Sequence, residues 1–289
     1  LNIEPMRKIK NIIVPTDFSV TARNAYQYAR GLAQVLGASI TVVHVKEHFI
    51  PVSEFNIAPL FGREENNLTT AMETFVAEEQ AINDGTIVKS KIKTQILRGD
   101  PTGSLLTLSA DPETDLMVIG TTGLQDVISK VMGSISGTIA SKALCPVILV
   151  PSLAEWMPIE RMLYASNYES MTPELIGEAT DFARFLQADT HFVHVDDTVF
   201  EEQSKTTGVN WKRLFSMIDP ALMYQTHAIH GSDTIVELGK YAAEHHIDLL
   251  VFVSKYRSFW ENLFHNSVTQ NMALSTEIPM MVLHLDDNE

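Results

Sequence analysis

The 289-residue chain reads as an α/β protein made of two tandem domains, each a parallel sheet with helices on both faces. Three observations carry that expectation. Short apolar runs alternate with stretches of helical period, the pattern of right-handed βαβ crossovers. The chain matches itself at fixed spacings. Its mass of 32.2 kDa suits two domains of ordinary size.

The repeat sets the domain division. Ile12 to Phe18 aligns with Met162 to Tyr168 at an offset of 150, as do Leu36 with Leu186 and Val43-His44-Val45 with Val193-His194-Val195. Further on the offset becomes 133: Asp115-Leu116 meets Asp248-Leu249, Ser134 meets Ser267 and Pro146 meets Pro279. One deletion of 17 residues between Val195 and Asp248 reconciles the two offsets. The copies span about 5–151 and 158–286, with Pro151 to Pro158 as linker, so the domains are 1–151 and 152–289.

Each element of the first copy has a local reason. Ile12 to Val14 is a short apolar run suited to a strand buried on both faces. Asp17 or Ser19 caps the helix that follows, whose Ala22, Ala25, Tyr26, Ala29, Leu32, Ala33 and Leu36 recur at helical spacing before Gly37 stops it. Ser39 to Val45 is the next strand. Asn56 to Gly62 reads as loop, and Glu64 to Ile82 as an acidic amphipathic helix with a solvated Glu face. Val88 to Leu97 is a strand. Asp100-Pro101 is an N-cap with proline in the first turn, opening a helix to about Ala110. Leu116 to Ile119, Ser134 to Leu144 and Val147 to Val150 complete the copy as strand, helix and strand. In such sheets ligands sit beyond the carboxyl ends of the strands, where strand order reverses.

Composition excludes several classes. With 21 basic and 36 acidic side chains the net charge is −15, which disfavours nucleic acid and anionic membrane surfaces as partners. No apolar run reaches transmembrane length, and Leu1 to Lys10 has no signal-type apolar core. The single cysteine, Cys145, excludes an intrachain disulfide and a multi-cysteine zinc site, and the expected compartment is the cytoplasm. The charge is uneven. Residues 1–151 carry 13 basic and 15 acidic groups, a net of −2, whereas residues 152–289 carry 8 and 21, a net of −13. An anionic ligand meets less repulsion in the first copy.

The first copy also holds the one element with phosphate chemistry. After the strand at Leu116 to Ile119 comes Gly120-Thr121-Thr122-Gly123, and nine residues later Gly133-Ser134 opens a helix. A glycine at a strand end lets a ligand approach the backbone, and a helix start offers N–H groups and the positive dipole end to phosphate. Ser134 and Ser136 add hydroxyls, and Lys130 is the cation within the loop. The spacing is neither a P-loop nor the Gly-x-Gly-x-x-Gly of dinucleotide enzymes.

The sequence resembles the universal stress protein family in a tandem form. The resemblance rests on Val14-Pro15-Thr16-Asp17-Phe18-Ser19, His44-Val45, the spaced Gly120, Gly123 and Gly133-Ser134, and Cys145-Pro146-Val147-Ile148-Leu149-Val150. It implies Rossmann-like (adenine nucleotide hydrolase-like) domains with five parallel strands in the order 3-2-1-4-5. It implies an ATP-binding regulatory or stress-response protein, with magnesium as a companion of the nucleotide and at most weak ATPase activity. Pro15 and Thr16 would belong to the site, Asp17 would meet the ribose or nearby polar groups, Val45 adenine through its backbone, Gly120 and Gly123 would flank the ribose and phosphates, and Gly133, Ser134, Ile135 and Ser136 would hold the phosphates. In this family the last strands are edges through which domains pair. Two joined copies would then form an intrachain pseudo-dimer, with a homodimer of tandem chains as a further level.

The second copy has lost these features. Gly120, Gly123 and Gly133 become Val253, Tyr256 and Asn266, and Asp17 becomes Asn167, although Ser267 and Thr269 keep hydroxyls. The expectation is a packing partner without ATP in the family's manner, the alternative being another ligand near Tyr256, Phe259 and Trp260. No metal site is expected. His227 and His230 lie three apart on a strand and face opposite ways, and His245-His246 sits at a helix end. Cys145 reads as a structural thiol, no Gly-x-Ser-x-Gly elbow offers a nucleophilic serine, and no catalytic residue is assigned. Beside the nucleotide-binding reading stand an interaction module with a vestigial site and a slow ATP hydrolase.

Overall fold

The structure, a computed structural model, describes residues 8–47, 58–81, 91–121, 134–166, 173–196, 224–231, 234–253 and 278–284. The first unit contains β1 (Asn11–Pro15), α1 (Val20–Leu36), β2 (Ser39–Lys46), α2 (Ala58–Ala81), β3 (Ile92–Arg98), α3 (Pro101–Ser109), β4 (Leu116–Thr121), α4 (Ser134–Lys142) and β5 (Val147–Pro151). The second contains β6 (Arg161–Ser166), α5 (Pro173–Leu186), β7 (Asp189–Asp196), β8 (Tyr224–His230), α6 (Thr234–Glu244), β9 (Leu249–Val253) and β10 (Met280–Leu283).

Among the described residues, ten strands form one sheet in the order β3-β2-β1-β4-β5-β10-β9-β6-β7-β8. Each unit is a parallel five-stranded Rossmann-like sheet of order 3-2-1-4-5. The units meet at their last strands, where β10 runs antiparallel to β5 with Met281 opposite Ile148. Because strand side chains alternate between faces, the sheet carries two cores. On one face Ile12, Val14, Val118 and Val150 pack with α1 and α2, and Met162, Tyr164 and Phe192 continue that core beside α5. On the other Ile13, Met117, Ile119 and Val147 pack under α3 and α4, and Leu163, Leu250 and Val282 continue it under α6. The short strands can be apolar throughout because both faces are covered.

Three sequence expectations change. Ala58 to Gly62 belongs to α2 rather than to a loop. Pro59 stands second in that helix, where its missing N–H is not needed, so proline marks the helix start. The strand after Asp115 runs on through Gly120 and Thr121. And the single deletion of 17 residues becomes two steps. Ile40 pairs with Ile92 and Thr190 with Tyr224, which sets β8 at 132 from β3. The chain regains that one residue before β9, which stands 133 after β4.

The repeat is also visible in hydrogen bonds. Lys10 and Asn11 N–H donate to one Asp115 carboxylate oxygen at 2.8 and 2.9 Å. Glu160 and Arg161 N–H do the same to Asp248, both at 2.9 Å. A charged acceptor thus clips the start of the central strand in each unit. Residues 152–160 pack against α1: Asn24 Nδ2 donates to the carbonyls of Pro151 and Ala154, each at 2.8 Å. The Trp156 ring lies edge-on to Tyr28, over Gly31, where a Cβ would stand 2.2 Å from the indole.

Candidate functional site

The chain order β1, β2, β3 runs outward on one side of β1, and β4 then starts on the other, so strand order reverses between β1 and β4. Beyond the carboxyl ends of these strands lie the turn after β1, the end of β2, the end of β4 and the start of α4. These are the places where the sequence puts its candidate residues.

The turn after β1 is built by its own polar side chains. Thr16 N–H donates to the Val43 carbonyl at 2.8 Å, holding the turn to β2 one residue past the end of β1. Thr16 Oγ1 accepts from Phe18 N–H at 3.0 Å, Asp17 Oδ1 from Ser19 N–H at 2.9 Å, and Ser19 Oγ from Ala22 N–H at 3.2 Å. Each hydroxyl or carboxylate satisfies an N–H two or three residues on, so the cascade ends as the N-cap of α1. The cap is therefore Ser19, and Asp17 is an exposed carboxylate just ahead of it. Pro15 and Thr16 are buried.

Two residues that the sequence reading did not assign fix this turn. His44 Nδ1 lies 2.8 Å from the Thr16 carbonyl and donates to it, since the carbonyl can only accept. Phe18 adopts φ +67°, costly for a bulky residue, and its ring lies 4.7 Å from the His44 ring and 5.8 Å from that of Phe75. Packing of the partly buried Phe18 ring against Phe75 and His44 holds the backbone in that conformation. The sequence signal was present, a histidine at the end of β2 in both copies, but its partner lies 28 residues away.

Val45 sits in β2, partly buried, opposite Leu97 of β3. Odd residues of β2 direct their N–H and C=O toward β1: Ser39 N–H donates to Lys10, and Val43 C=O accepts from Thr16. Even residues face β3, as Ile40 N–H and Lys46 C=O do. Val45 therefore directs both backbone groups to the side that β1 has left at Pro15.

Gly120 lies in β4 opposite Val150. A Cβ built on it would stand 2.5 Å from the Thr21 carbonyl oxygen. The first turn of α1 packed against it thus demands a glycine here. Ser134 opens α4, Ile135 packs into the core beneath, and Ser136 is buried and bonded. Gly123, Lys130 and Gly133 fall outside the described residues, so the middle of the glycine spacing is not part of this geometry. In the second unit Val253 takes the fifth position of β9, as Gly120 does in β4, while Asn167, Tyr256, Asn266, Ser267 and Thr269 fall outside the described residues.

Cys145 is buried, and desolvation pushes its thiol up to about 12, so it is no nucleophile. Among the described residues no group of histidine, cysteine or acidic side chains is placed to hold a metal, and no helix is long and apolar enough to cross a membrane.

Comparison with known proteins converges on one family. The model of the Universal stress protein family matches residues 8–151. A curated universal stress protein of Thermus aquaticus, described by its position 3′ of a QAH/OAS sulfhydrylase, is 32% identical over 141 residues, which are 49% of this chain and 98% of the relative. This chain belongs to the universal stress protein family. A universal stress protein of Methanocaldococcus jannaschii is 27% identical over 150 residues, covering 49% of this chain and 81% of that protein. At the level of fold, the crystal structure of a universal stress protein from Archaeoglobus fulgidus superposes with a TM-score of 0.65 at 15% identity, covering 96% of this chain and 97% of that one. The universal stress protein fold thus accounts for both five-stranded units.

Proposed function

We propose that this universal stress protein binds an adenine nucleotide, ATP, in its first domain, residues 1–151, and acts as a regulatory stress-response protein of the cytoplasm with little or no turnover. One observation carries the reading: Val45 turns a backbone donor and acceptor toward the gap that β1 leaves at the sheet's switch point. An adenine edge asks for that donor and acceptor pair. Thr16 and Asp17 stand at the same end of the sheet for the ribose, beside Pro15. The start of α4, with Gly133, Ser134, Ile135 and Ser136, supplies N–H groups and the positive helix end for the phosphates. Gly120 and Gly123 bracket the glycine loop, and magnesium would accompany the phosphates. Low turnover follows from composition. Efficient phosphoryl transfer asks for a positioned base and cationic stabilisers, and Lys130 is the single cation between Gly120 and Ser136. The second domain, residues 152–289, carries a net charge of −13 and Val253 in place of Gly120, which suits a packing partner rather than a second ATP site.

Nucleotide analysis of the purified protein after boiling tests the proposal. Co-purified ATP supports binding, ADP with measurable turnover replaces it with a slow hydrolase, and an empty protein that ATP does not bind replaces it with an interaction module. Gly133→Val should weaken ATP binding roughly 10- to 100-fold by crowding the phosphates. Tyr256→Gly should leave binding unchanged. A folded Gly133→Val protein that binds ATP normally would overturn the site.

A further inference from the structure

At the opposite pole of the second unit, by the amino ends of its strands, three histidines gather. His191 lies on β7, His227 on the edge strand β8, and His245 just past α6. Their ring centroids are 5.6 to 5.9 Å apart in every pairing. Tyr241, in the last turn of α6, stacks on His245 at 4.0 Å, and its hydroxyl is 2.9 Å from His191 Nδ1. His191 is only 3% exposed. Its Nε2 is buried without a hydrogen-bond partner, 3.5 Å from Asp189 Oδ2. Gln225 of β8 ties the cluster together: its amide nitrogen donates to Asp189 at 3.1 Å and its amide oxygen accepts from His227 at 3.2 Å.

The charged and titratable groups facing the cluster are Asp189 on β7, Arg161 on β6, His227 on β8, and Tyr241, Glu244 and His245 on or beside α6. Burial holds His191 below its ordinary pKa. Asp189 opposes that shift, while His245, His227 and Arg161 reinforce it. Burial and then His245 also hold His227 down. Asp189 can neutralise one imidazolium, but it cannot neutralise three within 6 Å of one another. A metal does not suit the site, because both nitrogens of His191 already face Tyr241 and Asp189. The first unit has no counterpart: Thr41 and Gln95 occupy the matching strand positions.

We propose that His191, His227 and His245 form a proton-operated latch, which holds β8 and α6 onto β7 while the imidazoles are neutral and lets them open on acidification. The opened segment exposes histidines of ordinary pKa, about 6.5, so opening takes up protons. The depressed values of His191 and His227 in the folded state give a hold that is complete well above pH 6.5 and is lost as the pH falls below about 6.5. Opening would leave β7 as the free edge of the sheet, able to pair with another strand.

Hydrogen exchange followed by mass spectrometry on the full chain at pH 7.5 and 5.5, corrected for intrinsic rates, tests this. Between these values, opening of β8 and α6 should rise about tenfold for each histidine that takes up a proton only on opening. Exchange in β1 and α1 should not change. The His227→Gln/His245→Gln protein should show a smaller rise, because only His191 is left to take up a proton on opening. Loss of protection spread evenly over the chain, or a full rise in the double variant, would overturn the latch. Proton NMR of the imidazoles needs no variant. His191 and His227 titrating below 6.5 supports the proposal, and either titrating at or above it refutes it. Protection of β8 and α6 by one equivalent of zinc at pH 7.5 would also refute it, in favour of a metal site.

Discussion

The two units are held together by matching bonds and differ in what lies at their poles. Asp115 and Asp248 clip the central strand of each, and the turn after α1 recurs after α5, with Ala38 N–H donating to Ala33 and Ala188 N–H to Ala183, both at 2.9 Å. These bonds are made wherever the fold is made. At the carboxyl pole, by contrast, the first unit has Gly120 where the second has Val253, and at the amino pole the second has three histidines that the first lacks. Substitutions that exchange these features between the units separate what the fold requires from what each unit does with it.

The largest effect is expected from giving the first unit the second unit's residue. Gly120→Val places a branched side chain against the backbone of Thr21, with Cβ 2.5 Å from its carbonyl oxygen. Backbone cannot yield as a side-chain tip can, so the first unit should lose about 3 kcal/mol, read by urea denaturation. A loss well under 1 kcal/mol would remove its packing role.

The clips should behave alike. Asp115→Ala and Asp248→Ala each strip the acceptor from two backbone N–H groups at a strand start. Each should cost about 2 kcal/mol, with Asp→Asn costing less because its amide oxygen still accepts. A cost confined to one unit would show that the shared geometry is not shared support.

Much of this comparison could be read in the sequence. Apolar runs and helical periods are local, so the strands at Ile12, Ser39, Leu116 and Val147 and the helix before Gly37 fall where their own residues set them. The Asp115–Asp248 match was visible as a repeat, but its clip was not, because the bond spans 104 residues. The site was legible as a spacing of glycines and as the turn residues Thr16 and Asp17. It was not legible in His44, Phe18 or the reason for Gly120, all of which depend on what packs across from them. The histidine cluster was hidden for the same reason. His227 and His245 stood out by their spacing, but His191, which joins them, lies on a different strand and looks unremarkable in a list.

The latch predicts a smaller, pH-dependent difference. Between pH 7.5 and 5.5 the second unit should lose about 1.4 kcal/mol more than the first for each histidine that takes up a proton only on opening. The His227→Gln/His245→Gln chain should narrow the gap between the two units' acid profiles, measured by denaturation at each pH. Equal acid sensitivity in the unaltered protein would mean that the cluster does not govern the difference.

The smallest effect concerns how α1 and α5 end. Gly37 takes φ +67° after α1, and the matching position after α5 is Gln187 at φ +59°. The same backbone bond follows each, so both units need a left-handed residue there, but only the first has the residue that adopts it without strain. Gln187→Gly should stabilise the second unit by about 0.5–1 kcal/mol, less what glycine's freedom returns to the unfolded chain. Gly37→Gln should cost the first unit a similar amount, as its Cβ would meet open space and only the backbone conformation is at stake. If the paired substitutions shift the two melting transitions in opposite directions, the strain at Gln187 is intrinsic to its φ. If Gln187→Gly destabilises instead, contacts of the glutamine side chain outweigh that strain, and the second unit has adapted its helix end rather than merely tolerated it.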